Sequence, residues 1–328
     1  MATTEGQALR PVFENAAEDS GSAEGPGTES QEKAVAPDLS DFSELVRLGR
    51  SGSEEEIKDG VRNHLDRLAD RHGLSHYHVL YLFDPEASIS SYHSNELYEA
   101  AASADRKKDI LLVVQSSGGK IEPAYLISKT CKRLSLKKFV VAVPRRAKSA
   151  ATLLALGADE IHMGLMSELG PIDPQIGGYP ALGLTNALNK VAELSAKFPR
   201  SSDMWSKYLG NKLDLNDLGY FDRVTESAAQ YAERLIRGKT LPSTQSPGAL
   251  ANHFVNHYKD HGFVIDSDEC ITLLGPEIVK TDTSEYLFSN EVYRFLNLVE
   301  IVLSAFHKKL FAIIGESSGM SIRSKDQD

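Results

Sequence analysis

"DILLVVQSSGGKIEPAYLISKTCKRLSLKKFVVAVP", Asp109 to Pro144, holds the pattern on which the fold turns. Ile110 to Val114 is an unbroken apolar run, too short for a helix and too uniform for a sheet with one wet face. It reads as a strand buried on both sides, ending in the turn "SSGG". "KIEPAYLISKTCKRL" reads as a helix and "KFVVAVP" as the next buried strand. A strand, a crossover helix and a second apolar strand make a parallel pair.

The same alternation runs outward in both directions. "YHVLYLFD" (Tyr77 to Asp84) predicts a strand and "NELYEAAASA" a short helix before the central unit. After it, "SAATLLALG" predicts a helix beginning at Ser149, and "DEIHMG" a further strand. The class is therefore α/β. Upstream, Ser53 and Glu56 form a capping box, Ile57, Val61, Leu65 and Leu68 recur at helical spacing, and Gly73 closes that helix. Beyond Gly164 the pattern changes to loops and helices, with no linker and no internal repeat. "LNLVEIVLSAFHKKLFAIIG", Leu296 to Gly315, reads as one amphipathic helix. Its stripe of Leu296, Val299, Val302, Leu303, Phe306 and Leu310 suits packing on the body or on a second copy.

Residues 1–39 are rich in Ala, Glu, Gly, Ser and Pro and poor in large apolar residues, which predicts a disordered acidic tail. Residues 40–315 then form one domain, and 316–328 a flexible C-terminal tail. A net charge of -10 argues against nucleic acid as a partner. Cys131 and Cys270 are the only cysteines and have no metal-ligand spacing, so they read as buried, reduced thiols. Met1 to Ser30 has no apolar core of a signal peptide, and no run of about 20 apolar residues suits a membrane span. The expectation is a soluble, cytoplasmic protein with no integral membrane segment.

Two features carry chemistry. In "QSSGGK", Gly118 and Gly119 allow backbone N–H groups to point together at an incoming oxygen, which suits a developing oxyanion as well as a tight turn. Neither G-x-x-x-x-G-K-[ST] nor G-x-G-x-x-G occurs there, so a nucleotide cofactor is not expected. Ser149 follows Arg145, Arg146 and Lys148 and stands among Ala147, Ala150 and Ala151. A serine so placed is either a helix cap or a nucleophile with room for a carbonyl to approach. Both features lie at C-terminal ends of neighbouring parallel strands, where open α/β sheets bind ligands.

"VVQSSGGKIEPAY", "AKSAATLLALGADEIHMGLMSELGPIDPQIG" and "KDHGFVID" together resemble the serine dehydrogenase proteinase family. That family is distantly related to the Clp protease proteolytic subunit, to signal peptide peptidase A and to the crotonases. The resemblance covers roughly Tyr77 to Gly275. It implies a Clp-protease- and crotonase-like spiral of βαβ units with additional C-terminal helices. It also implies peptide-bond hydrolysis without a cofactor or metal, a peptide or protein substrate, and assembly into a homo-oligomer. Ser149 is then the nucleophile and the Gly118-Gly119 turn the oxyanion hole.

The Ser, Asp, His order described for the family fits Ser149, Asp173 and His261, with His253 and His257 as rivals on the preceding helix. Signal peptide peptidases use a lysine instead, for which Lys190 is the candidate, provided that it is desolvated. Many members of the family carry an N-terminal membrane segment, and this chain begins with the acidic tail in its place. Two other readings stay open: a peptidase-like fold used for binding or scaffolding, and a crotonase-type enzyme acting on an acyl thioester.

Overall fold

The computed structural model describes residues 38–103, 108–176, 179–212 and 215–325. Its strands are β1 (Tyr77–Phe83), β2 (Asp109–Gln115), β3 (Phe139–Ala142), β4 (Arg146–Ala147), β5 (Glu160–His162), β6 (Glu168–Leu169), β7 (Gln175–Ile176), β8 (Tyr179–Pro180), β9 (Val279–Lys280), β10 (Lys309–Gly315) and β11 (Met320–Ser324). Seven of them form one sheet in the order β11-β10-β1-β2-β3-β5-β9. From β1 to β9 every pairing is parallel, and each strand adds on the same side as its predecessor. The chain therefore winds in one direction through its βα units. β10 and β11 extend the other edge as antiparallel strands.

The continuous apolar strands arise because both faces are covered. Leu80 and Leu82, Ile110, Leu112 and Val114, and Phe139 and Val141 face one core, with the helices Ser91–Ser103, Ile121–Leu134 and Ala150–Leu156 on that side. The alternating residues Tyr81 and Phe83, Leu111 and Val113, and Val140 and Ala142 face a second core. Covering that one are the helices Phe42–Ser51, Glu54–Arg71 and Ser284–His307. The Ser53–Glu56 capping box is present, and Gly73 leaves the helix with φ 70°.

Two expectations need correction at the chain ends. The helix expected over Leu296 to Gly315 stops at His307, where Lys308 adopts a left-handed φ of 52° and its N–H bonds back to Leu303 and Ser304. Beyond it, Leu310 to Ile314 has no polar face for a helix, and the run pairs with β1 as a strand instead. Leu296, Val299, Val302 and Leu303 are buried against the sheet, so most of the stripe is core and not a surface for a second copy. Glu316 to Asp328 is not simply a tail, since Met320–Ser324 pairs with β10. Of the N-terminal segment, residues 1–37 lie outside the described residues, and Leu39 is already buried beside Gly60.

Both cysteines are fully buried and free. Burial pushes the Cys131 thiol up to about 12 and raises that of Cys270 as well. Because the thiolate is the reactive form, a thiol-selective alkylating reagent should modify neither in the native protein at neutral pH. Mass spectrometry before and after denaturation tests this, and native-state alkylation would contradict it.

Candidate active site

The motifs meet through a small ladder beyond the C-terminal ends of β2 and β3. Ser116 pairs with Ala147, β4 pairs with β6 in parallel, and Leu169 pairs with Ile265 in antiparallel fashion. This stitches together four segments that lie far apart in sequence: the glycine turn, the serine turn, the loop through Asp173 and the loop through His261. Lys148 reinforces the seam. Its ammonium donates to the carbonyls of Phe263 at 2.9 Å and Leu169 at 3.2 Å and pairs with Glu168 at 2.9 Å. Lys148 is thus an internal tie, not part of a basic rim. Arg145 is likewise engaged, with Asn290 and over the Tyr293 ring.

Ser149 occupies the N-cap position of the helix Ala150–Leu156, yet its side chain makes no capping hydrogen bond. The reason is its backbone, φ 52° and ψ -119°, a conformation that L-residues with a side chain rarely adopt. A working N-cap has extended torsions that let the hydroxyl reach back to the first turn. Strain of this kind at a strand-to-helix turn projects a side chain outward in the manner of a nucleophile elbow. The surrounding structure holds the turn in place. Buried Thr152 donates to Ala147 O at 2.6 Å and accepts from Gly170 N at 2.9 Å, bridging the serine turn to the loop that leads to Asp173. Thr152 was visible in the sequence only as a lone polar residue in an apolar helix.

Thr152→Val keeps the shape of this side chain and leaves a buried carbonyl and a buried N–H without partners. It should cost about 2 kcal/mol of stability, read by denaturant unfolding. A variant as stable as wild type would mean that the bridge contributes nothing.

Gly118 lies directly against this turn. A Cβ added there would stand 2.7 Å from both Ser149 Cβ and Lys148 O, and its φ is 105°. Its N–H donates to Ser116 Oγ at 3.1 Å. Gly119 faces the other way, where a side chain would overlap the backbone of Ile89. Among the described residues the N–H groups of Gly119 and Ala150 have no hydrogen-bond partner. Ala150 N–H heads the serine helix and is a donor that the sequence reading missed, although any helix start supplies one.

Asp173 and His261 come together. His261 Nδ1 lies 2.5 Å from Asp173 Oδ1 in a hydrogen bond, with the Asp173 side chain 9% exposed and that of His261 34%. Gln175 Nε2 donates to the other carboxylate oxygen at 2.8 Å, a second supporting residue not foreseen from sequence. The Asp173 hydrogen bond and charge raise the His261 pKa above its ordinary value against the opposing effects of burial and of Lys148. With Nδ1 committed to Asp173, the ring presents Nε2, which has no hydrogen-bond partner among the described residues. Ser149 Oγ is not hydrogen-bonded to it. Such bonds are often long before substrate binds.

The rival bases stand elsewhere. His253 and His257 stack on each other with centroids 4.1 Å apart, and His253 contacts the Tyr258 hydroxyl at 3.2 Å. Lys190 is 68% exposed and pairs with Glu193 at 3.0 Å on the outer face of its helix. The burial that a lysine base requires is absent there.

Residues 87–197 match the family model described as ClpP-like SDH-type serine proteinase. The match spans Gly118, Gly119, Ser149, Asp173 and Lys190 and ends before His261. Two uncharacterized proteins of Methanocaldococcus jannaschii are similar to this chain. One is 38% identical over 102 residues (31% of this chain, 35% of the relative), and the other 34% identical over 105 residues (32% and 36%). The chain thus spans about a third of the length of these curated relatives. Two solved structures of a membrane-bound stomatin-specific protease also resemble it. A serine-to-alanine variant aligns with a TM-score of 0.41 and 16% identity over 65% of this chain and 83% of that one. A lysine-to-alanine variant in complex with a substrate peptide aligns with a TM-score of 0.40 and 13% identity over 77% and 92%. Among the described residues no helix is long and apolar enough to cross a membrane. Over residues 87–197, about a third of its length, this chain is thus similar to the ClpP-like SDH-type serine proteinases.

Proposed function

We propose that the chain is a serine peptidase whose nucleophile is Ser149. Its Oγ attacks a peptide carbonyl while His261 Nε2 takes the hydroxyl proton. Asp173 holds the opposite ring nitrogen and stabilises the imidazolium that forms. The Gly118-Gly119 turn receives the negative oxygen through Gly119 N–H, joined by Ala150 N–H at the head of the serine helix, while Gly118 N–H stays on Ser116 Oγ. The imidazolium then protonates the leaving amine as the C–N bond breaks, and water hydrolyses the resulting ester. The observation that carries this reading is the uncapped, strained Ser149 with φ 52° beside the glycine turn. A serine kept only as a helix cap has no need of that conformation.

A fluorophosphonate probe tests the proposal. Wild type should be labelled at Ser149, and Ser149→Ala should not. The missing Ser149–His261 hydrogen bond favours a second reading, in which the same fold binds peptides without cleaving them. No labelling of wild type, together with peptide binding, would establish that reading instead. Assembly into a homo-oligomer belongs to the same proposal and is read by sedimentation velocity.

A further inference from the structure

The oxyanion turn has an outer wall, and the wall is anchored by residues outside the peptidase machinery. Ile89 N–H donates to Gly118 O at 2.8 Å, and Lys120 N–H donates to Ile89 O at 2.8 Å. Ile89 therefore forms a one-residue ladder with Gly119. The next residue, Ser90, donates its N–H to His93 Nδ1 at 3.2 Å, so this nitrogen carries no proton and the ring proton sits on Nε2. Nε2 faces Asp84 Oδ2 at 3.5 Å and has no closer acceptor among the described residues. Both side chains are deeply buried, Asp84 at 2% and His93 at 4% exposure. Arg323, on the edge strand β11, completes the cluster with one guanidinium nitrogen 2.8 Å from each carboxylate oxygen of Asp84.

The loop Asp84–Ser90 joins β1 to the helix Ser91–Ser103. Its two ends are drawn together by the Asp84–His93 contact, and Ile89 projects from it onto the glycine turn. Burial alone pulls the Asp84 carboxyl up, but His93 and Arg323 outweigh this and hold it below its ordinary value, so that it stays ionised. None of these groups reaches Ser149, so any effect on the reaction passes through backbone placement.

We infer that Arg323, Asp84 and His93 form a positioning relay that holds Ile89 against the Gly118-Gly119 turn, so that the C-terminal edge strand sets how well the oxyanion is received. The inference rests on the peptidase reading for its effect on rate, but not for its effect on the turn. Preorganised donors lose much of their value when displaced by even a fraction of an ångström.

Three variants test it: Arg323→Gln, Arg323→Lys and, as a control on the same strand, Ile322→Ala. Ile322 packs against the second core, whereas the β11 side chain bonded to Asp84 is that of Arg323. The readouts are the rate of fluorophosphonate labelling of Ser149 and hydrogen exchange at the Ile89 and Lys120 amides. Arg323→Gln should slow labelling about tenfold and speed exchange at those two amides by a similar factor, with β3 still protected. Arg323→Lys should restore most of both, and Ile322→Ala should change neither. Unaltered exchange in Arg323→Gln, or equal effects from Ile322→Ala, would overturn the relay. A wild type that does not label sinks the peptidase reading, while exchange at Ile89 and Lys120 still decides the relay.

Discussion

Asp173→Asn should lower kcat by roughly 10⁴-fold with little change in KM, an effect of the size seen when the carboxylate of a Ser-His-Asp set is replaced by an amide. Asp173 Oδ1 accepts the His261 Nδ1 proton at 2.5 Å, and Gln175 already supplies a donor to Oδ2 at 2.8 Å. An amide at this position presents an NH₂ group to one of these donors. Where that group faces His261, the ring must turn or take the tautomer with its proton on Nε2, the atom that accepts from Ser149 in the proposed mechanism. Steady-state hydrolysis of a peptide substrate measures the loss. A variant within tenfold of wild type would remove Asp173 from the mechanism.

The same substitution has a pH signature. In the proposed mechanism the base works as neutral imidazole, and Asp173 raises the His261 pKa above its ordinary value. The acid limb of kcat/KM in wild type should therefore lie above about 6.5, the ordinary histidine value. In Asp173→Asn it should move down, because the largest raising influence is gone while burial and Lys148 still lower that pKa and Asp260 alone still raises it. The stability linkage has the opposite sense to that of a paired carboxylate. A raised folded-state value contributes stability at pH below the unfolded histidine value, and that contribution is lost as pH rises through the folded one. Asp173→Asn should erase this dependence.

Gly118→Ala is expected to reduce hydrolysis by at least 10²–10³-fold, the cost of one oxyanion donor, while the chain stays folded. The added methyl would stand 2.7 Å from Ser149 Cβ and from Lys148 O, and neither atom belongs to a long, flexible side chain. The residue would also have to hold φ 105°, which costs an alanine roughly 1–3 kcal/mol. The cheapest relief is a shift of the turn away from Ser149, which takes its N–H groups out of reach of the oxyanion. Fluorophosphonate labelling should fall in parallel, since the probe uses the same donors. Unchanged labelling with a modest loss of melting temperature would assign Gly118 to turn formation alone.

Local features of this site were legible because their causes are local. A short, uniformly apolar strand, two glycines after it and a serine among alanines each depend on a few neighbouring residues, and the sequence displays them directly. The same holds for the Ser53–Glu56 cap and for the buried thiols. Near the C-terminus, periodicity misled: Leu310 to Ile314 continues a helical stripe by spacing, and the left-handed turn at Lys308 interrupts it.

By itself, then, the sequence determined the α/β class, the order of the βα units and the two turns that face each other as Gly118 and Ser149. Only the tertiary structure decided that His261, 88 residues from Asp173, is its partner, that Lys190 is exposed and that Arg323 reaches Asp84. The physical reason lies in the ladder Ser116–Ala147–Leu169–Ile265 and in the pairing of β10 with β1. Their register depends on how the whole sheet packs between its two helical layers, and no window of a few residues encodes it.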